Sequence, residues 1–165
     1  MIRIGIVGCG RILAAHIEGY KILREVGVDN FEITALCSRK AGDAQSYLKR
    51  GEGPPQRTPV SDIPGDPLAV GDQSLSDFQP DTEVEVYTDY RDLIASDRVD
   101  AINDFTIHSL HHQIAALAFE LGKHVLSQKP LAVSMEGARR MCRQAEAAGV
   151  TFGVFENLRF VESIR

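Results

Sequence analysis

Gly8 and Gly10 stand one residue apart, directly after the apolar run Ile2-Arg3-Ile4-Gly5-Ile6-Val7. Arg11 and Ile12 then open a helix-like pattern. After a strand, the first glycine of such a pair permits a tight turn and the second lets an anion approach the backbone. The N–H groups of the new helix, with no partner inside it, face that anion. The chemistry implied is pyrophosphate binding through Gly8, Gly10, Arg11 and Ile12; a plain strand-to-helix turn is the other reading. Leu13 occupies the place where the dinucleotide fingerprint has its third small residue.

A second group of chemistry-bearing residues, Ser38-Arg39-Lys40, follows the apolar and β-branched run 31–37, with no acid before Asp43. Adenosine ribose hydroxyls are matched by a carboxylate at this point, whereas a 2′-phosphate is matched by cations and hydroxyl donors. Ser38, Arg39 and Lys40 therefore predict NADP(H) as the preferred cofactor, with NAD(H) as the second candidate. A solvated basic turn is the bland alternative. His108, His111 and His112 form a third group. No carboxylate or cysteine lies at ligand spacing with them, so no metal site is expected. Cys9, Cys37 and Cys142 are odd in number and widely spaced. They read as reduced core thiols of a cytoplasmic protein.

The elements that must position these groups alternate. Helix-period patterns are predicted over 11–26, 41–49, 90–95, 109–121 and from Ser134 to Gly149, where Met135, Ala138, Met141, Cys142 and Ala145 share one side. Strands are predicted over 2–7, 31–37, 85–87, 99–105, 124–127 and 150–155. Strand–helix alternation implies an α/β, doubly wound domain with a mostly parallel six-stranded sheet covered on both faces. The 165 residues suit one such domain. A net charge of −5 offers no general attraction to nucleic acid or anionic membrane. No apolar run approaches the roughly 18–20 residues of a membrane span, and no secretory leader is legible.

Residues 51–84 break the rhythm. They hold six of the seven prolines, four glycines, and seven acids against one base, Arg57. A connection of this length is unusual between α/β elements. It reads as an acidic, partly disordered surface insertion, or as a flap over the cofactor or a partner surface, anchored by Leu68-Ala69-Val70 and the stretch from Leu75 to Phe78.

Several pieces, taken in order, resemble the Gfo/Idh/MocA family of NAD(P)-dependent oxidoreductases. They are Gly8-Cys9-Gly10-Arg11-Ile12 with His16 after it, the stretch from Thr106 to His111, Gly122-Lys123-His124-Val125-Leu126-Ser127-Gln128-Lys129-Pro130-Leu131-Ala132, and Asn157-Leu158-Arg159-Phe160. The likeness covers all of the chain except the insertion, and its most specific piece is the Lys-Pro segment, usually Glu-Lys-Pro in the family. The resemblance implies a Rossmann domain in which Lys129 is the catalytic residue, beside the nicotinamide and substrate. Thr106 and His111 are then expected near the nicotinamide and its ribose, and Gln128 accepts from ribose hydroxyls. Asn157 and Arg159 line the cofactor pocket, or Arg159 anchors a following domain. His16 is expected to be structural. Departures from the family pattern are Gln128 for glutamate, Ile107-His108 for a common Pro-Asn, and Leu13 for a small residue.

Family members also carry a second α+β domain that supplies the substrate pocket. The expectation is therefore a Rossmann domain over 1–160 and, over 161–165, the start of a connection to a domain absent from this chain. The function expected from the resemblance is hydride transfer between NADP(H) and the hydroxyl or carbonyl of a sugar, polyol or related small molecule. This chain alone should bind cofactor without turnover, and the full-length protein is expected to form a homo-oligomer. A non-catalytic nucleotide-binding sensor or regulatory subunit is the alternative.

Overall fold

The computed structural model of the chain describes residues 1–64, 66 and 68–156. Six strands, β1 (Ile2–Val7), β2 (Phe31–Cys37), β3 (Glu85–Tyr87), β4 (Ala101–Asp104), β5 (His124–Gln128) and β6 (Phe152–Phe155), form one sheet in the order β3-β2-β1-β4-β5-β6. Every neighbouring pair is parallel. Parallel neighbours need crossovers, and α1 (Ile12–Glu25), α2 (Ala41–Gln45), α3 (Tyr90–Ala95), α4 (His111–Glu120) and α5 (Met135–Ala148) lie between them.

Helices cover both faces, because strands such as β2 are apolar on both sides. On one face Leu13, Ile17 and Tyr20 of α1, with Ala44 and Tyr47, pack against Ile6, Ile33 and Leu36. On the other, Leu93 and Ile94 of α3, Ile114 and Ala118 of α4, and Met141 and Ala145 of α5 pack against Val7, Ala35, Ile102 and Val125. This is the doubly wound α/β arrangement that the alternating pattern predicts. The buried stripe of α5 is narrower than its sequence suggests. Met141 and Ala145 are buried, whereas Met135 is 68% exposed. Cys142 is exposed as well, so it is not a core thiol; Cys9 and Cys37 are.

The largest differences from the sequence pattern involve the 51–84 segment. Leu75, in a single 3₁₀ turn (Leu75–Asp77), is buried in the same cluster as Tyr47. The Leu75 and Ser76 N–H groups donate to the carbonyls of Tyr47 and Leu48 at 2.8 and 3.1 Å. The Tyr47 and Leu48 N–H groups reach back only three residues, to Ala44 O and Gln45 O, so α2 ends at Gln45 rather than Lys49 and continues as tighter turns. The Gln79 side chain then reaches the flank of β2, beyond the short pairing of β3 with Ala35–Cys37. Its Oε1 accepts from Ile33 N–H at 3.1 Å and its Nε2 donates to Ile33 O at 2.8 Å. This part of the insertion is built into the domain, while Leu68 remains half-exposed.

Candidate nucleotide site

The strand order reverses between β1 and β4, which is where open α/β sheets bind ligands, beyond the carboxyl ends of their strands. A cavity of about 340 Å³ opens there, lined among others by Gly8, Gly10, Ser38, Arg39, Arg57 and Thr106.

The two glycines have different work. Gly8 has a φ of +105°, and a Cβ placed on it would lie 2.7 Å from the backbone carbon of Phe105. Its freedom lets the turn after β1 close against the end of β4. A Cβ on Gly10 would meet nothing within 4 Å, so the space over that residue is open to a ligand. The N–H groups of Gly10 and Arg11 have no partner among the described residues. The Gly10 carbonyl is tied down from below by the Tyr47 hydroxyl at 3.0 Å. Burial pushes that hydroxyl up to about 12, so it remains a donor at neutral pH. Leu13 is fully buried. It points into the core under α1 and leaves the turn clear.

At the end of β2, Ser38 is partly buried while Arg39 and Lys40 are exposed, and their side chains have no hydrogen-bond or ion-pair partner among the described residues. Asp43, one turn further on, lines the same cavity with its Oδ2 3.5 Å from Ser38 Oγ. That carboxylate is already engaged: Arg57 Nη2 donates to Asp43 Oδ2 at 2.6 Å. Sequence reasoning missed Arg57 as a site residue. The available signal was its being the lone base among seven acids in 51–84.

At the β4 and β5 ends, Thr106 is held by Asp104, whose Oδ1 accepts from Thr106 N–H at 2.9 Å and from Thr106 Oγ1 at 2.6 Å. Asp104 and its register partner Ser127 are both fully buried. Burial pushes the Asp104 carboxyl above its ordinary range. His111 is buried too, with Nδ1 3.1 Å from Pro130 O and Nε2 3.1 Å from Thr106 O. Both partners are acceptors, so a neutral ring donates to one at a time. The ring ties the loop after β4 to the turn after β5 from beneath. Gln128 turns its amide towards α1, where Nε2 donates to His16 Nε2 at 3.0 Å. Its Oε1 accepts from Lys129 N–H at 2.8 Å. The Lys129 side chain is exposed beyond the strand. Asn157 and Arg159 lie outside the described residues.

Residues 2–156 match the Gfo/Idh/MocA oxidoreductase family, NAD-binding Rossmann fold. The chain belongs to this family. It is 26% identical over 160 residues to the D-apiose dehydrogenase of Paraburkholderia graminis, an alignment covering 97% of this chain and 33% of that protein. It is 40% identical to the 1,5-anhydro-D-fructose reductase of Ensifer adhaerens over 72 residues, 44% of this chain and 22% of that one. Among solved structures, the WlbA dehydrogenase of Bordetella pertussis in complex with NADH and UDP-GlcNAcA superposes with a TM-score of 0.66 at 24% identity, covering 96% of this chain and 36% of that one. The chain thus spans about a third of the length of the relatives it matches throughout.

The residues present fit the dinucleotide that the Gfo/Idh/MocA family binds. The open space over Gly10 and the free N–H groups beside it make an anion cradle at the start of α1. Among the described residues no three His, Cys, Asp or Glu side chains are gathered as metal ligands. No described helix is long and apolar enough to cross a membrane.

Proposed function

We propose that this Gfo/Idh/MocA domain prefers NADP(H) and serves an enzyme that moves hydride between that cofactor and a hydroxyl or carbonyl of a sugar or polyol. The observation that carries the cofactor preference is the end of β2. There Ser38 and Arg39, whose side chain has no partner among the described residues, border the cavity, and Asp43, the carboxylate among the described lining residues, is neutralised by Arg57. A related scyllo-inositol 2-dehydrogenase (NADP(+)) of Bacillus subtilis, 25% identical over 150 residues, supports the same direction. The substrate class rests on relatives named as dehydrogenases of apiose and inositols.

When bound, the nicotinamide supplies the hydride chemistry. The chain's own residues hold and orient it: the Gly8–Gly10 turn at the pyrophosphate, Ser38 and Arg39 at the adenosine end, Thr106 at the β4 end. Lys129, just past the end of β5, is proposed to hold the substrate oxygen and carry its proton. His111 and Gln128 act beneath, fixing the loops that carry Thr106 and Lys129.

Titration with NADPH and NADH, read by nicotinamide fluorescence, tests the cofactor claim. NADPH is expected to bind more tightly, with the preference lost in Arg39→Ala; equal affinities would end it. In the full-length protein, Lys129→Ala should abolish turnover with cofactor affinity retained, and retained turnover would remove Lys129 from the catalytic role.

A further inference from the structure

We propose that Arg57, delivered by the 51–84 insertion and aimed by Asp43, is a specificity residue that grips the cofactor's 2′-phosphate together with Arg39. The inference rests on the NADP(H) reading above and adds to it a residue from outside the β2 motif.

Arg57 lines the same cavity as Ser38 and Arg39 although it lies 18 residues beyond Arg39 in sequence. The strap carrying it is fixed by the residues just before it. Pro54 lies against Gly42, where an added Cβ would come within 3.2 Å of Pro54 Cγ, and Gly53 lies against the Gln45 carbonyl. Gln56, the adjacent residue, donates through Nε2 to Ser46 O at 2.8 Å and also bonds Gln73 O. Its Oε1 accepts from Gln73 N–H at 3.1 Å. Arg57 therefore extends from an anchored strap, and its side chain is still half-exposed, at 53%, towards the cavity mouth.

Charge decides what the arrangement suits. Only Nη2 of Arg57 is used, on Asp43, which leaves Nε and Nη1 as donors without a partner among the described residues. A guanidinium is planar and forked, so it can bind a carboxylate on one edge and a phosphate on another. An isolated Asp43 would repel a 2′-phosphate; paired with Arg57, it becomes the group that orients the grip. With Arg39 lining the same cavity, the phosphate meets two cations and the Ser38 hydroxyl.

The test is the affinity of the chain for NADPH and NADH in the wild type, Arg39→Ala, Arg57→Ala, Arg57→Lys and the double variant Asp43→Asn/Arg57→Ala, with thermal melts confirming the fold of each. Arg57→Ala is expected to weaken NADPH by about tenfold or more, the scale of a lost charge-assisted bond, while NADH stays within about threefold. Arg57→Lys should recover part of the NADPH loss, and so should adding Asp43→Asn, which removes the uncompensated carboxylate. Unchanged NADPH affinity in Arg57→Ala beside a loss in Arg39→Ala overturns the Arg57 role and leaves the NADP(H) reading standing. Equal loss of both cofactors in a folded Arg57→Ala overturns it as well, because Arg57 would then only shape the cavity. A wild type without preference removes the reading itself, and this inference with it.

Discussion

The side chains of His16 and Gln128 meet nitrogen to nitrogen, with Gln128 Nε2 donating to His16 Nε2 at 3.0 Å. His16 is clamped there, stacked on Phe105 at 4.0 Å between centroids and edge-on to Phe155 at 4.5 Å. The acceptor nitrogen requires a neutral ring, and burial does push His16 down to about 4. A glutamate, usual at this place in the family, brings only acceptors, so the neutral ring would have to carry its proton on Nε2 to meet it. Glutamine meets the ring without adding a charge beside it. Gln128→Glu is therefore expected to cost about 1 kcal/mol at pH 8, for the change of tautomer and the partly desolvated carboxylate. The deficit should shrink near pH 5, where the introduced carboxylate favours the protonated ring. Urea melts at the two pH values check this, and an equal deficit at both would contradict the pairing.

His16 also sets a pH dependence of its own. Its ring takes up a proton near pH 6.5 when unfolded but only near pH 4 when folded. Between those values the unfolded state binds more protons, so stability falls as pH drops from about 6.5 to 4 and levels off below. The loss attributable to His16 is on the order of 3 kcal/mol. His16→Gln, which keeps an acceptor but does not titrate, should flatten that window. A wild-type stability profile that is already flat there would refute the assignment.

The two site glycines should respond in opposite ways to one added methyl group. Gly8→Ala forces a Cβ to 2.7 Å from the Phe105 backbone at a positive φ. It should cost more than about 2 kcal/mol of stability. Gly10→Ala meets nothing within 4 Å, so its melting temperature should stay near wild type while cofactor affinity drops. Calorimetry with and without NADPH separates the two effects. A Gly10→Ala protein with unchanged affinity would move the pyrophosphate elsewhere.

Asp104 is a carboxyl kept where its charge is unwelcome. Burial raises its pKa, with the Thr106 bonds opposing. Its neutral form is favoured by folding, so its contribution is fully present below about pH 4 and diminishes as pH rises through the folded value. Asp104→Asn keeps an acceptor for Thr106 and removes the charge, so it should hold or raise stability at pH 7. Asp104→Ala strands the Thr106 donors and should cost about 1–3 kcal/mol. Chemical denaturation of both variants decides it; asparagine as damaging as alanine would mean that the charge itself is required.

Much of the domain was legible because its signals are local. The Ile2–Val7 run ending at Gly8 and Gly10 announces a strand, a turn and a helix start within eleven residues, and Phe31–Cys37 is apolar apart from Glu32 and Thr34. Gly149 marks the end of α5 by its left-handed conformation. What could not be read depends on partners distant in sequence. Tyr47 looks like an ordinary helix residue until its hydroxyl is found on Gly10, 37 positions away. Arg57 sits in a stretch with no periodicity, and only the fold brings it to Asp43. Asp43 stands five residues after Ser38, and one helical turn returns it to the cavity. Leu13 violated a motif position on paper, but the turn directs its side chain away from the ligand space into the core.

The carboxamide of Gln79 on Ile33 has a meaning for the protein's behaviour in a crowded solution. β3 is only three residues long and leaves the first half of β2 without a neighbour on its outer side. Such a row of free N–H and C=O groups is a template on which another chain's strand can add. Gln79 occupies both groups of Ile33, the donor and the acceptor, as one residue of a seventh strand would. An acidic, proline-rich segment thus supplies one residue's worth of edge cover, and with Arg24 Nη2 donating to the Phe31 carbonyl it leaves less of this edge open to another chain.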